Sequence, residues 1–319
     1  MLNFFKEFMI KKFIVALIVF FYSSCAIAVL ADDTFKSYKH PRFQKFKTIT
    51  IPKLESFVTQ KLKLLTNETK AVFYPFGGPD IIYPLMLFPR AQSYLLIGLE
   101  SSGSEDISLQ MPKDLNNQLD SLLRRSFFVT SDMSRMISHK QGVLPLFLAQ
   151  ITLMGGTIQD IKYTDYSFGN VIEITFIHLE LEKKLLYVQT NVANQILSDD
   201  LLKFIKDNNL FDTCMLKASS YSFHQRIFSK LKDFVMANAK VILQDDTGVP
   251  LKELSKDFRI HLFGNYLKPY GKEWVGYFQK DLYKMYQETV SESDITFCYG
   301  YGCGRSPVAM MLAIRASVE

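Results

Sequence analysis

Residues 71–100 read AVFYPFGGPDIIYPLMLFPRAQSYLLIGLE. The run 71–76 is short and apolar, and it stops at Gly77-Gly78-Pro79-Asp80. A second apolar stretch, 81–88, ends at Pro89, and SYLLIGLE follows at 93–100. Apolar runs of four to eight residues bounded by Gly and Pro are the pattern of strands buried on both faces. Two such runs joined by a short crossover predict a parallel β-α-β unit. The turn 77–80 and Glu100 are then expected at the same, carboxyl edge of one sheet.

Working outward, residues 33–47 are polar, aromatic and basic by turns and read as an extended arm, with a strand or short helix at 48–65. Apolar positions 115, 119, 122, 123 and 127 have helical spacing, with Asp114 as a cap. A second, more apolar helix is expected at 143–154, stopped by Gly155-Gly156. Runs 171–181 and 185–192 are rich in β-branched residues and flank Glu182-Lys183-Lys184, which predicts a hairpin with its turn there. It either extends the sheet or forms a flap. Further on the pattern alternates again: helix from Asp199 to Lys206, strand 213–218, helix 223–238, strand 240–244, strand 259–266, helix 280–289 and a last strand at 294–299. Such alternation predicts an α/β fold, a three-layer Rossmann-like mixed sheet with an inserted or appended β-hairpin. The expected division is a signal peptide at 1–31, an N-terminal arm at 32–70 and a single α/β domain at 71–319.

The first thirty residues carry the address. Lys6, Lys11 and Lys12 precede an uncharged run from Phe13 to Leu30, with small residues at Ala26, Ala28 and Ala31 before Asp32 and Asp33. That is the pattern of a secretory signal peptide, cut after Ala28 or Ala31. Two alternatives are an uncleaved anchor and a lipoprotein lipidated at Cys25. All three place the body outside the cytoplasm, in the periplasm or on the outer face of the envelope. Membrane contact is expected only if that segment is retained or Cys25 is lipidated.

Removing residues 1–31 takes away three lysines and one glutamate and leaves 34 basic and 31 acidic residues. With no cationic block, nothing favours a nucleic-acid partner. Cys214, Cys298 and Cys303 remain. The last two bracket Tyr-Gly-Tyr-Gly, close enough to bond or to be two small buried side chains.

Each candidate for chemistry has a plain alternative. Gly77 and Gly78 at a strand's end let a backbone approach a ligand, and Glu100, twenty residues after Asp80, stands where a ribose-binding acid would. The turn lacks G-x-G-x-x-G, however, and Asp80 also suits a helix cap. Asp245 and Asp246 end another strand, where acids serve as a base or simply build a turn. Lys217 beside Ser219 suggests a nucleophile with its base, but no G-x-S-x-G is present. His139 and His224 are the histidines placed to reach strand ends, and no pairing of histidines suggests a metal. Arg305 finishes a Gly-rich segment, either an anion cradle or a bulged last strand. No cofactor is expected, because nicotinamide dinucleotides and S-adenosylmethionine are made and recycled in the cytoplasm.

FYPFGGPDIIY, the Phe88-Pro89 pair, YLLIGLE, and ILQDDTGVP followed by LFGNY together resemble a bacterial family of exported proteins of unknown function. The similarity runs from about Phe73 to the C-terminal strand, while the segment from Cys298 to Cys303 departs from the pattern. The resemblance implies a shared α/β fold and carries no catalytic assignment. Two functions are therefore expected in parallel. One is an exported binding or envelope-associated protein, whose partner is a small molecule or an envelope component. The other is an exported hydrolase built on Asp80, Asp245 or Asp246 with His139 or His224.

Overall fold

The computed structural model describes residues 31, 33–103, 111–137, 141–303 and 308–316. The leader pattern at 1–30, His139 and Arg305 lie outside the described residues. Nine strands form one sheet in the order β3-β4-β5-β2-β1-β6-β7-β9-β8. They are β1 (Ala71–Tyr74), β2 (Ser93–Gly98), β3 (Thr157–Tyr166), β4 (Gly169–His178), β5 (Leu181–Gln189), β6 (Thr213–Leu216), β7 (Val241–Gln244), β8 (Phe258–Gly264) and β9 (Ala309–Arg315). The central five, β5-β2-β1-β6-β7, run parallel. A meander, β3-β4-β5, flanks them on one side. On the other, β9 runs antiparallel to both β7 and β8.

The ten helices used below are α1 (Pro41–Phe57), α2 (Lys63–Glu68), α3 (Ile82–Leu87), α4 (Leu115–Arg125), α5 (Thr130–Met136), α6 (Leu144–Leu153), α7 (Asp199–Asp207), α8 (Ser229–Asn238), α9 (Leu251–Leu254) and α10 (Lys280–Glu288). Among the described residues no helix is long and apolar enough to cross a membrane.

The two-residue period of a strand makes the three layers. Val72 and Tyr74, Tyr94 and Leu96, and Leu185 and Tyr187 face one side, where α1, α3 and α6 pack. Their neighbours Phe73, Leu95, Ile97 and Leu186 face the other, against Leu201 and Ile205 of α7 and Leu231 and Val235 of α8. With both faces covered, the central strands carry apolar residues at nearly every position. The fold is thus a Rossmann-like three-layer α/β architecture around a mixed sheet. The predicted pair β1 and β2 are parallel neighbours, with Ala71 opposite Ser93 and Tyr74 opposite Leu96.

Four local expectations are overturned. The segment 33–47 is not an extended arm: a helix begins at Pro41 and runs to Phe57, which decides for helix in the stretch after 47, and Phe43, Phe46, Leu54 and Phe57 bury one stripe. A π-helical turn, Val58–Leu62, links α1 to α2. Asp114 precedes α4 but its side chain makes no cap. The hairpin turn is not at Glu182-Lys183-Lys184. It is Leu179 and Glu180, both at positive φ (52° and 62°), with His178 paired to Leu181. Lys183 is buried inside β5, its Nζ donating to the carbonyls of Pro89 and Ala91, both at 2.7 Å. The hairpin extends the sheet through β5, and β3, unread in the sequence, adds its outer edge. Finally, residues 294–299 form no strand, and the last strand is β9.

Candidate functional site

The chain leaves β1 toward β2 on one side and later adds β6 on the other, so the order of strands reverses between β1 and β6. In open α/β sheets, ligands bind in the crevice outside the carboxyl ends of strands at such a switch point. A cavity of about 460 Å³ occupies this place. It lies between the turn after β1, the end of β2, the loop joining α4 to α5, the exit of β5 and the loop after β6.

Three residues singled out in the sequence meet there. Gly77, Gly78 and Glu100 all line the cavity. Gly78 takes φ +52°, and its N–H donates to the Ile97 carbonyl at 3.2 Å, tying the β1 turn to β2. A Cβ built on Gly98 would lie 2.5 Å from Glu100 Oε2 and 2.9 Å from the Gly78 Cα. Only glycine therefore allows the Glu100 carboxylate to lie against the turn. Tyr187 Oη donates to the Glu100 carbonyl at 2.8 Å and reaches its Oε2 at 3.3 Å. Burial pushes the Glu100 carboxyl above the usual range.

Asp80 and Asp245 approach from beneath the crevice, and both are engaged. Asp80 is 1% exposed; its Oδ1 accepts from the Tyr83 amide at 3.2 Å, in the first turn of α3. Its Oδ2 accepts from Lys217 Nζ at 2.7 Å. That ammonium also donates to the Ser126 carbonyl and sits 3.4 Å from the centre of the Tyr83 ring. Burial drives Asp80 up and Lys217 down, each against its partner's attraction. Asp245 Oδ2 accepts from the Ala218 amide at 2.8 Å, and Oδ1 accepts from the amide and hydroxyl of Thr247. Thr247 Oγ1 in turn accepts from the Ser219 amide at 2.7 Å. One carboxylate thus caps a helix and the other builds two loops.

Asp246 and His224 lie around Tyr221. The tyrosine hydroxyl donates to Asp246 Oδ2, and the rings of Tyr221 and His224 are 5.3 Å apart. Burial, with Asp245 adjacent, raises the Asp246 carboxyl to about 7. Burial lowers the His224 imidazole to about 4. Neither residue lines the crevice.

Other residues complete the site, and the first of them, Gln150, was not read from the sequence. Gln150 of α6 braces the β1 turn, its Oε1 accepting from the Ile81 amide and its Nε2 donating to the Pro79 carbonyl at 2.7 Å. The loop after β6 holds Ala218, Ser220 and Tyr221 at φ between 52° and 54°. Non-glycine residues there store strain that surrounding bonds must hold. Ser219 lines the crevice with a buried hydroxyl that has no partner among the described residues. Ser220 Oγ and Tyr301 Oη are 2.7 Å apart, closing one wall. A disulfide joins Cys298 to Cys303 around Tyr301, while Cys214 is free and buried. Among the described residues no three His, Cys, Asp or Glu side chains gather to hold a metal.

No protein-family model matches the chain, and no curated protein is significantly similar to it in sequence.

Proposed function

We propose that this is an exported binding protein, periplasmic or envelope-associated, that takes a small organic ligand in the crevice at the switch point. The observation that carries the proposal is the assembly of Gly78, Gly98 and Glu100 around a 460 Å³ cavity, a volume of the kind small-molecule sites have. Export rests on the leader pattern of residues 1–31. A disulfide between Cys298 and Cys303 supports it, because such bonds persist in oxidising compartments.

Hydrolysis has less support. Asp80 and Asp245 are occupied as cap and turn builder, and Asp246 with His224 stands outside the crevice. A general base must stand within reach of substrate, and Asp80, Asp245, Asp246 and His224 do not line the crevice.

The test is a ligand-observed NMR screen of a diverse small-molecule set against the mature protein and Ser220→Trp, which fills the crevice. Compounds that bind the first and not the second are expected. A set in which every binder tolerates Ser220→Trp would move the site elsewhere. Turnover of any ester, amide or phosphoester that Asp80→Asn abolishes without loss of folding would restore the hydrolase.

A further inference from the structure

Asp80 and Glu100 are both deeply buried near the crevice, and their partners differ. Asp80 has its ammonium, Lys217, at 2.7 Å. Glu100 is only 6% exposed, yet among the described residues no Lys, Arg or His lines the cavity it faces. Its hydrogen-bond partners are all neutral: the Tyr187 hydroxyl, shared with the Glu100 carbonyl, the Thr130 side chain, and the backbone amides of Leu99 and Glu100. A buried carboxylate without a counter-charge is costly. The same charge becomes favourable when a ligand brings the cation.

The walls suit such a ligand. Phe76, Phe127, Phe128, Phe228 and Tyr301 all line the cavity, and each is only half-buried. Phe127 and Tyr301 meet edge to face at 4.7 Å, and Phe76 and Phe228 at 6.1 Å. The electron-rich faces of such rings attract ammonium groups, and their carbon surface covers an apolar body. Behind the β6 loop stand Asp245 and Asp246, while Lys217 already has Asp80. The local field therefore favours positive charge. Among the described lining residues, a phosphate or carboxylate would meet Glu100 and no cation.

We propose that the crevice binds an organic ammonium ion, its charged nitrogen at the Glu100 carboxylate and its apolar part along the aromatic walls. The proposal rests on the binding function given above and names its ligand class.

Isothermal titration at low salt, with the full mature protein, tests it on a graded set of amines: tetramethylammonium, choline, phenethylammonium and spermidine. 2-Phenylethanol and phenylacetate serve as the neutral and anionic counterparts of phenethylammonium. At least one ammonium ion is expected to bind tenfold or more tighter than the neutral and anionic compounds. Glu100→Gln should weaken it at least tenfold while thermal unfolding stays within a few degrees, and Ser220→Trp should abolish it. If 2-phenylethanol or phenylacetate binds as well as any amine and Ser220→Trp removes it, the ammonium assignment falls and the crevice stands. Unchanged amine affinity in Glu100→Gln overturns the assignment as well. No binding by any amine overturns it too, and the wider screen then decides the crevice by itself.

Discussion

Lys217 is the residue on which the floor of the crevice depends. Its ammonium is fully buried and satisfies Asp80 and the Ser126 carbonyl at once. Removing one member of a buried pair strands the other, at a typical cost of about 3–5 kcal/mol. Lys217→Met should lower stability by that order in urea unfolding. Lys217→Met with Asp80→Asn should recover much of it, and a double variant no better than the single would show that Lys217 acts through packing alone. Asp246 and His224 make opposite pH predictions. The folded state holds the Asp246 proton up to about pH 7, against an ordinary 3.8, so its stabilisation is full below about pH 4 and lost as pH rises through about 7. The His224 imidazole is held neutral down to about pH 4, against an ordinary 6.5, so its stabilisation is full above about pH 6.5 and lost as pH falls through about 4. Asp80, Glu100 and Asp245, all raised by burial, slope with Asp246. Urea midpoints between pH 4 and 8 should therefore fall less steeply toward high pH in Asp246→Asn than in the native chain. His224→Gln should lose less toward low pH. Shifts of the same sign in both variants would contradict these assignments.

At the scale of elements, the hairpin between β4 and β5 turns on two residues ill suited to it. A two-residue turn with both residues at positive φ favours Asn-Gly, whereas Leu179 and Glu180 hold these angles here. Leu179 is 64% exposed, so replacing it gives up little burial. Leu179→Asn with Glu180→Gly should raise stability by about 1 kcal/mol. A lower unfolding midpoint would mean that Leu179 makes contacts worth more than its strain. The same feature explains what was legible. β1 and β2 announce themselves because burial on both faces makes them apolar throughout and Gly and Pro bound them. The turn at Leu179 carries no turn residue, so the nearby charges at Glu182-Lys183-Lys184 attracted the boundary instead. β3 is an edge strand in which only Ile158 and Ile161 are buried, with an irregularity between Ile158 and Asp160. Its alternation is therefore faint. β9 reads AMMLAIR, a composition without β-preference, and is a strand because β7 and β8 pair with it on both sides. In the site, Gly77, Gly78 and Glu100 were legible as turn chemistry at strand ends. The Lys217–Asp80 pair was not, since 137 residues separate its members.

Across the whole molecule, the segment from Cys298 to Cys303 connects compartment to site. It makes a short 3-10 turn at Gly300–Gly302, and hydrogen bonds fasten it over the sheet edge, including one from Tyr299 Oη to the Leu243 carbonyl. Tyr83 Oη donates to the Cys298 carbonyl at 3.0 Å, Ser126 Oγ donates to the Gly300 carbonyl at 3.2 Å, and Tyr301 meets Ser220. Gly300 itself is pressed against Asp245: a Cβ there would fall 1.8 Å from Oδ2. The disulfide closes this short loop, and chain-entropy arguments give such a closure about 2 kcal/mol. The disulfide thereby helps to hold Tyr301 as a wall of the crevice. Cys298→Ser with Cys303→Ser should lower unfolding stability by about that amount and weaken crevice ligands more than it weakens the fold. Alkylation of the protein lacking residues 1–31 should label one thiol after denaturation alone, the buried Cys214, and three after reduction. Three reactive thiols without reductant, or a double variant with unaltered stability and binding, would leave the loop to its hydrogen bonds and remove the disulfide as support for export.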